Sequence, residues 1–161
     1  MAKPKPGSTP ATVALARAGV PFTLHPYRHD DAATHFGEEA AAALGVDPER
    51  IFKTLLADLG DELVVAVLPV ARQLDLKALA ATLGAKKATM ADPAAAARST
   101  GYVLGGISPF GQRTRLRTVL DASASGFPTV YVSAGKRGLQ VEVAPADLLR
   151  VSGAVSGSIG H

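Results

Sequence analysis

The sequence lacks cysteine and tryptophan altogether, and aromatic residues make up only 5% of its 161 positions. Without cysteine the chain forms no disulfide, thiolate zinc site or iron–sulfur cluster, and it has no thiol nucleophile of its own. It has four histidines, so a metal site would need histidine and carboxylate ligands. These absences exclude many of the common covalent and metal-dependent chemistries.

Long apolar runs are absent as well. No run approaches the ~20 residues of a membrane-spanning helix, and the N-terminal MAKPKPGSTP has no apolar core of the kind that a signal peptide needs. We therefore expect a cytoplasmic protein with no membrane partner. The length predicts one domain, and an apolar fraction of 47% is ordinary for a globular chain.

The charge is mildly basic, with 17 Lys+Arg against 14 Asp+Glu and a net charge of +3. This excess suits an anionic partner such as a nucleotide or RNA, although many basic proteins bind neither. Arg113, Arg115 and Arg117 alternate along the chain, so on a strand they would share one face. Lys136 and Arg137 follow in a turn. The cluster predicts either a solvated sheet face or a track for a polyanionic backbone.

Cap and turn signals divide the chain into short elements. Thr9-Pro10 is typical of a helix start, and a Gly follows where that helix should end. Residues 51–58 and 62–70 flank a Leu-Gly-Asp turn and predict a hairpin whose second strand is buried on both faces. Further strands are predicted in the segments YVLGGI, RLRTVLD, PTVYVS and LQVEV, and a last helix in ADLLRV.

Most of these strands form hairpins and do not alternate with helices, which favours an α+β fold with a mixed or antiparallel, barrel-like sheet. We find no internal repeat and no linker long enough to divide the domain. The predicted organisation is a flexible tail over residues 1–8, one folded domain over 9–152, and a flexible Gly/Ser-rich tail over 153–161.

Lys53 is the first candidate for chemistry. On a strand it shares a face with Ile51 and Leu55, while Phe52, Thr54 and Leu56 line the other face, so both faces are apolar apart from Lys53 and Thr54. The lysine is either a charge that protects an edge strand from aggregation or a cation directed at a carboxylate, carbonyl or phosphate in a cleft.

The segment GYVLGGISPFG at 101–111 is the second candidate, with four glycines in eleven residues. It lacks the Gly-Lys-Ser/Thr of a phosphate-binding loop and the GxGxxG pattern. It is therefore either a turn or a set of backbone N–H donors around a carbonyl or phosphate. His25 and His29 would lie ~13 Å apart on an extended chain, which argues against a shared metal. With no GxSxG motif, a hydrolase here would act through positioning, backbone dipoles and a lysine.

Several motifs together resemble the YbaK family of prolyl-tRNA editing domains, and within it the free-standing Cys-tRNA(Pro) deacylases. The resemblance runs from about Thr9 to Val151. It rests on FKTLL around Lys53, on the stretch AVLPVARQLDLKALAATLGAKKATMADPAAAARSTGYVLGGISPFGQ, and on YVSAGKRGLQVEV. The motifs occur in the same order as in the family, which is more specific than any one of them.

The resemblance implies an α+β fold with a mixed, barrel-like sheet and flanking helices. It implies hydrolysis of the ester between cysteine and tRNA(Pro) after a prolyl-tRNA synthetase has mischarged the tRNA, with the synthetase as a further partner and with no cofactor, metal or DNA. The implied catalytic residues are Lys53 and Gly105. The implied substrate-binding residues are Tyr27, Phe36, Gly106, Ser108 and Ser133, and the basic residues expected to contact tRNA are Arg113, Arg115, Lys136 and Arg137.

Two positions depart from the family. Gln140 stands where relatives often have an acidic residue, and Arg117 where proline is common. In the family the substrate's own thiol is the nucleophile, which fits a chain without cysteine. Two alternatives remain at this point: a deacylase of the same fold for Ala-, Ser- or Thr-tRNA, distinguished by pocket size, or a non-catalytic module that binds tRNA or a nucleotide.

Overall fold

The computed structural model describes residues 8–161; the predicted N-terminal tail at 1–8 therefore lies, except for Ser8, outside the described residues. The helices and strands, in chain order, are α1 Pro10–Ala18, β1 Thr23–Pro26, α2 Phe36–Leu44, β2 Phe52–Asp58, β3 Leu63–Pro69, α3 Leu76–Thr82, β4 Thr89–Met90, α4 Pro93–Thr100, β5 Thr118–Asp121, β6 Val130–Lys136, β7 Leu139–Val143, α5 Pro145–Ser152 and β8 Val155–Gly157. Within residues 8–161 the helices are all too short to span a bilayer.

Three helices begin at side-chain caps. The Thr9 hydroxyl accepts from the Thr12 N–H, and the Asp75 and Asp92 carboxylates accept from the N–H groups three residues later. Proline at the first position of α1 and α4 fits because that position needs no N–H donor. The helix start predicted from Thr9-Pro10 is confirmed.

Two sheets form the centre of the protein. A five-stranded sheet has the order β4-β2-β3-β5-β8, and a three-stranded sheet has the order β1-β7-β6. The β2–β3 and β2–β4 pairs are antiparallel, whereas β3–β5 and β5–β8 are parallel. A parallel bridge from Ile51, the residue before β2, to Tyr131 of β6 links the two sheets. The predicted α+β fold with a mixed, barrel-like sheet is confirmed.

The main core fills the space between the two sheets. Both faces of β3 are buried, which explains why the sequence of this strand is apolar throughout. Val65 and Val67 face this core together with residues of β6 and β7. Val64, Ala66 and Leu68 face the other side, where α3 packs over them. Burial of both faces of β3, as predicted from its continuous apolar run, is confirmed.

The C-terminal residues correct one prediction. The segment 153–161 does not behave as a flexible tail, because β8 pairs with β5 and Ile159 is fully buried under the larger sheet. The Asp121 carboxylate accepts hydrogen bonds from the N–H groups of Ile159 and Gly160, each at 2.9 Å. The Gly- and Ser-rich composition predicted a flexible segment. Its few apolar side chains are ordered by contacts with distant residues, which form only in the folded protein.

The segment 101–117 corrects a second prediction. The sequence suggested strands at YVLGGI and RLRTVLD. The first segment is irregular, and of the second only TVLD forms a strand, β5, which begins at Thr118. Gly101, Gly105 and Gly111 have φ values of 80°, 82° and 64°, which turn the chain out of any strand. The arginines at 113, 115 and 117 therefore do not share a face of a strand.

Candidate functional site

A gap in strand pairing lies beside a cavity. Strand β2 is paired with β3 along its whole length, but its other edge is paired only near the ends, by the Ile51–Tyr131 bridge and by β4 at Ala57 and Asp58. Between these contacts lies a cavity of about 500 Å³. This volume falls in the range of small-molecule binding sites.

The cavity is lined by the start of α2, the first half of β2, the residue after β3, the segment from β4 into α4, the glycine loop at residues 101–111, and the facing strands β6 and β7. The lining residues are His35, Phe36, Gly37, Glu38, Phe52, Lys53, Thr54, Leu55, Leu56, Val70, Met90, Ala91, Pro93, Ala96, Leu104, Gly105, Ile107, Ser133 and Gln140. Most are apolar, with a small number of polar groups among them. Such a lining holds a ligand by contact area and orients it through a few polar contacts.

Lys53 lies in the cavity wall. It is half-buried on β2, opposite Leu68 of β3. Burial lowers the pKa of its ammonium group, and the negative charge of Glu38 partly offsets this effect. A partly desolvated ammonium interacts more strongly with an anionic or carbonyl oxygen than a solvated one does. Lys53 therefore lies on a partly unpaired strand and among the residues that line a cavity.

The glycine pair packs against neighbouring structure. A Cβ atom on Gly105 would lie 2.5 Å from the Phe36 ring, and one on Gly106 would lie 2.9 Å from the Lys136 Cα. The Gly106 N–H donates to the Val103 carbonyl at 2.9 Å, so a turn already uses this donor. Gly105 lines the cavity, whereas Gly106 serves the close approach of the loop to the β6–β7 turn.

Arg137 connects three parts of the cavity mouth. Its guanidinium carbon lies 4.4 Å from the centre of the Phe36 ring, and its Nε donates to the Leu104 carbonyl at 2.7 Å. The contact between the cation and the aromatic face is favourable, and the hydrogen bond fixes the direction of the guanidinium. Arg137 thereby ties the β6–β7 turn to the glycine loop and to the start of α2.

The other expected substrate-binding residues are only partly brought together. Ser133 lines the cavity and its hydroxyl accepts from the Gly135 N–H at 3.1 Å. Tyr27 packs in a separate small cluster around α2. Ser108 is fully buried, and its hydroxyl accepts from the Phe110 N–H. Tyr27 and Ser108 are therefore not among the residues that line the cavity.

The four basic residues expected to contact tRNA fall into two groups. Lys136 and Arg137 are exposed in the turn beside the cavity mouth. Arg113 and Arg115 are also exposed, but they lie against Gly101 and Gly153, at the C-terminal ends of α4 and α5. The sequence analysis did not separate the two groups, because it assumed that residues 113–117 form a continuous strand.

Two buried polar residues of the cavity were not predicted as site residues. Thr54 and Gln140 are 9% and 6% exposed and both line the cavity. Within residues 8–161, Thr54 Oγ1 and Gln140 Oε1 have no hydrogen-bond partner. The signal for Thr54 was its place between Phe52 and Leu56 on an apolar strand face. Gln140 was visible only as a departure from the family pattern.

The histidines lie outside this cavity except for His35. His25 Nε2 is 2.9 Å from Glu142 Oε1, and His29 Nδ1 is 2.7 Å from Glu39 Oε1. Each imidazole is thus engaged with a different carboxylate. Across residues 8–161, no three His, Asp or Glu side chains come together in a way that could hold a metal ion.

Comparison with known proteins now defines the class. Residues 29–151 match the family described as the aminoacyl-tRNA editing domain, so the chain belongs to this family. The resemblance drawn from the motifs is confirmed.

Particular relatives narrow the comparison. The chain is 42% identical over 117 residues to EbsC of Enterococcus faecalis, which carries the provisional name Cys-tRNA(Pro)/Cys-tRNA(Cys) deacylase; the match covers 71% of each chain. It is 27% identical over 139 residues to ProXp-y of Escherichia coli, named a multifunctional Ser/Thr-tRNA deacylase, covering 86% of this chain and 83% of that one. A crystal structure provisionally assigned as a trans-editing enzyme for prolyl-tRNA synthetase is similar at a TM-score of 0.83 and 25% identity, covering 96% and 98%.

Proposed function

We propose that this protein is a trans-editing deacylase that hydrolyses the ester joining cysteine to tRNA(Pro). The observation that carries the proposal is Lys53, partly desolvated in the wall of a cavity large enough for an aminoacyl group. The similarity to EbsC supports cysteine as the amino acid. The partners are aminoacyl-tRNA(Pro) and a prolyl-tRNA synthetase, in the cytoplasm where tRNAs are charged.

The cavity gives each residue a defined task in this proposal. Lys53 contacts the ester carbonyl or the terminal ribose from the open edge of β2. The backbone at Gly105, next to Phe36, forms another wall of the cavity and limits where the ester carbonyl and the terminal ribose can lie. Ser133 contacts the aminoacyl group, and Lys136 and Arg137 at the mouth meet the phosphates of the tRNA end.

The chemistry needs no nucleophile from the protein. The sulfur of the bound cysteine attacks its own ester carbonyl, a carbon–sulfur bond forms, and the carbon–oxygen bond to the ribose breaks. The departing ribose oxygen takes the thiol proton, and water then opens the cyclic thioester to free cysteine. Holding reacting groups in position can lower a barrier by about 7–11 kcal/mol, so positioning by Lys53 and the cavity walls is a sufficient source of catalysis.

A second candidate is a deacylase for Ser- or Thr-tRNA. The similarity to ProXp-y favours it, because that relative covers more of the chain than EbsC does, although at lower identity. Such an enzyme could not use a substrate thiol and would need a water held in the cavity. The two candidates therefore differ in whether sulfur is essential.

The first test is Lys53→Ala, with Lys77→Ala on the exposed side of α3 as a matched loss of a lysine. We expect Lys53→Ala to lower kcat/KM for Cys-tRNA(Pro) by at least about 100-fold, the usual effect of removing a group that stabilises the transition state. Its free energy of unfolding should not fall, because a partly desolvated charge is removed. Deacylation retained at the level of Lys77→Ala would remove Lys53 from the mechanism.

The second test compares Cys, Ser, Ala and Pro attached to the same tRNA(Pro). We expect hydrolysis of the cysteinyl ester and little hydrolysis of the other three, since only cysteine supplies a thiol. Hydrolysis of the seryl ester at a similar rate would favour the second candidate. Hydrolysis of correctly charged Pro-tRNA(Pro) at the cysteinyl rate would contradict editing, and binding without any turnover would indicate a non-catalytic module.

A further inference from the structure

One acidic side chain, Glu38 at the start of α2, lies among the residues that line the cavity. Within residues 8–161 no other Asp or Glu lines it. The carboxylate of the next residue, Glu39, is already engaged, because it accepts from the Asp30 N–H at 2.8 Å and lies 2.7 Å from His29 Nδ1. By contrast, His35 Nδ1 lies 3.8 Å from Glu38 Oε2, too far for a hydrogen bond. The Glu38 side chain is 67% exposed, so a ligand can reach its carboxylate.

Packing of α2 against the larger sheet places Glu38 near Lys53. The helix lies so close to the end of β3 that a Cβ atom on Gly37 would be 2.6 Å from Val70 Cγ2. The Val70 N–H donates to the Ile51 carbonyl at 2.9 Å. Ile51 and Lys53 are two positions apart on an extended chain, so their side chains share a face. In agreement with this proximity, the charge of Glu38 raises the pKa of Lys53, which burial lowers.

An aminoacyl ester carries the two groups that complement a neighbouring carboxylate and ammonium. Its α-amino group is a cation at mildly acidic to neutral pH, and its carbonyl oxygen gains negative charge when the ester is attacked. The amino nitrogen and the carbonyl carbon are bonded to the same carbon atom. An ester whose carbonyl oxygen lies at Lys53 therefore holds its ammonium group within reach of a carboxylate beside Lys53.

We propose that Glu38 binds the α-ammonium group of the aminoacyl ester and so restricts the cavity to tRNAs whose amino acid has a free amino group. This inference rests on the proposed deacylase function. An ion pair in full contact with water is worth little. A bound ester covers the carboxylate and removes part of that water, which strengthens the contact between the two charges.

The contact discriminates by charge at the amino group. Acylation of the amine, as in peptidyl-tRNA or a formylated aminoacyl-tRNA, removes the positive charge and adds atoms beside α2. The Glu38 carboxylate would then lose water to a neutral group and gain no cationic partner, which is unfavourable. The enzyme would therefore leave intact the tRNAs that carry a growing peptide chain.

The test measures binding, separately from turnover, with adenosine analogues whose ribose carries an acyl group through a non-hydrolysable amide. The acyl groups are cysteinyl, N-acetylcysteinyl, and 3-mercaptopropionyl, which is cysteinyl without its amine. Each is titrated calorimetrically into the full-length protein at about pH 6.5, where an α-amino group is protonated. We expect the wild type to bind the cysteinyl analogue at least about tenfold more tightly than either of the others, the effect of one charge-assisted hydrogen bond.

Glu38→Gln removes the charge and keeps the size of the side chain. In this variant the preference for the cysteinyl over the mercaptopropionyl analogue should fall to about threefold or less, because a neutral amide does not attract the ammonium group. Asp61→Asn in the exposed β2–β3 turn is the matched loss of one negative charge outside the cavity. It should keep the wild-type preference, which separates a local contact from a general change in charge.

Glu38 also has a structural role that the test must separate. It lies in the first turn of α2, where a negative charge interacts favourably with the helix dipole. If this were its only role, Glu38→Gln would lower Tm and leave the binding preference unchanged, and that result would overturn the inference. Equal binding of the cysteinyl and mercaptopropionyl analogues by the wild type would also overturn it, even with deacylation intact.

Turnover separates the inference from the proposed function. The wild type should hydrolyse Cys-tRNA(Pro) and leave N-acetyl-Cys-tRNA(Pro) intact, and Glu38→Gln should raise KM for Cys-tRNA(Pro). Hydrolysis of both esters at equal rates would overturn the role of Glu38 and leave the deacylase in place. A binding preference that falls as expected, in a protein that hydrolyses no aminoacyl-tRNA, would support the contact with Glu38 and overturn the deacylase.

Discussion

At the scale of single residues, Gly105 shows how the cavity mouth is built. Its φ of 82° lies in the left-handed region, and the face where a side chain would project is occupied by the Phe36 ring. Phe36 in turn lies under the guanidinium of Arg137. Glycine at 105 thus lets the glycine loop, the start of α2 and the β6–β7 turn pack closely together. A side chain at this position would collide with Phe36.

Gly105→Ala is expected to displace Phe36 and to lower both stability and activity. Backbone strain and overpacking should together cost about 1–3 kcal/mol of unfolding free energy, measured in urea, and kcat/KM for Cys-tRNA(Pro) should fall. Gly60→Ala is the control, because Gly60 also has positive φ but a Cβ atom there would meet nothing within 4 Å. Equal losses in the two variants would show that backbone strain alone accounts for the effect.

At the scale of elements, Asp121 holds the C-terminal strand in place. Burial raises the pKa of this carboxyl group, but hydrogen bonds from Ser123, Ile159 and Gly160 outweigh burial and hold the pKa below its ordinary value. The residue lies at the end of β5, where β8 pairs alongside. One carboxylate therefore supplies the backbone partners that the sheet does not provide after Gly157.

Asp121→Ala should destabilise the protein by about 3 kcal/mol, because the buried N–H of Ile159 and the partly buried N–H of Gly160 lose their acceptor. Hydrogen exchange at Ile159 and Gly160 should accelerate before that of the main core. A carboxyl group with a lowered pKa stabilises the fold above its unfolded pKa of about 3.9 and loses that effect as the pH falls through the folded value. The stability difference between wild type and variant should therefore be constant near neutral pH and shrink in acid.

Asp61→Ala in the exposed β2–β3 turn removes a carboxylate without these contacts and should change stability by less than about 0.5 kcal/mol. If the difference between wild type and Asp121→Ala did not depend on pH, the carboxylate charge would not be what holds β8. If hydrogen exchange at Ile159 stayed as slow as in the main core, the C-terminal segment would be held by its apolar contacts instead.

At the scale of the whole molecule, the charge of +3 is small for a protein that binds tRNA. Binding should therefore rely on few phosphate contacts, concentrated where basic residues lie beside the cavity mouth. Lys136→Ala is expected to reduce the slope of log K against log salt for tRNA binding by about one, the effect of a single phosphate contact. Arg115→Ala provides the comparison, because Arg115 packs against Gly153 at the end of α5. An equal reduction in Arg115→Ala would show that the tRNA extends across that face.

Elements with local signals could be predicted from the amino-acid sequence alone. Side-chain caps at Thr9, Asp75 and Asp92 set the starts of three helices, and the continuous apolar run of β3 indicated a strand buried on both faces. The order of the motifs around Lys53 was enough to indicate the family. Hydrogen bonds within four residues and strand periodicity act over short distances along the chain, so a linear sequence contains them.

The composition of the cavity, by contrast, depends on contacts between distant parts of the chain. Thr54 and Gln140 lie 86 positions apart in the sequence. Both line the cavity, which lies where β2 is unpaired between the Ile51–Tyr131 bridge and its pairing with β4. Ser108 and Tyr27, expected in the pocket, lie in packed regions elsewhere, and the C-terminal segment became a strand through contacts with β5 and Asp121. Burial and unpaired polar atoms depend on what approaches from distant parts of the chain, which no local pattern records.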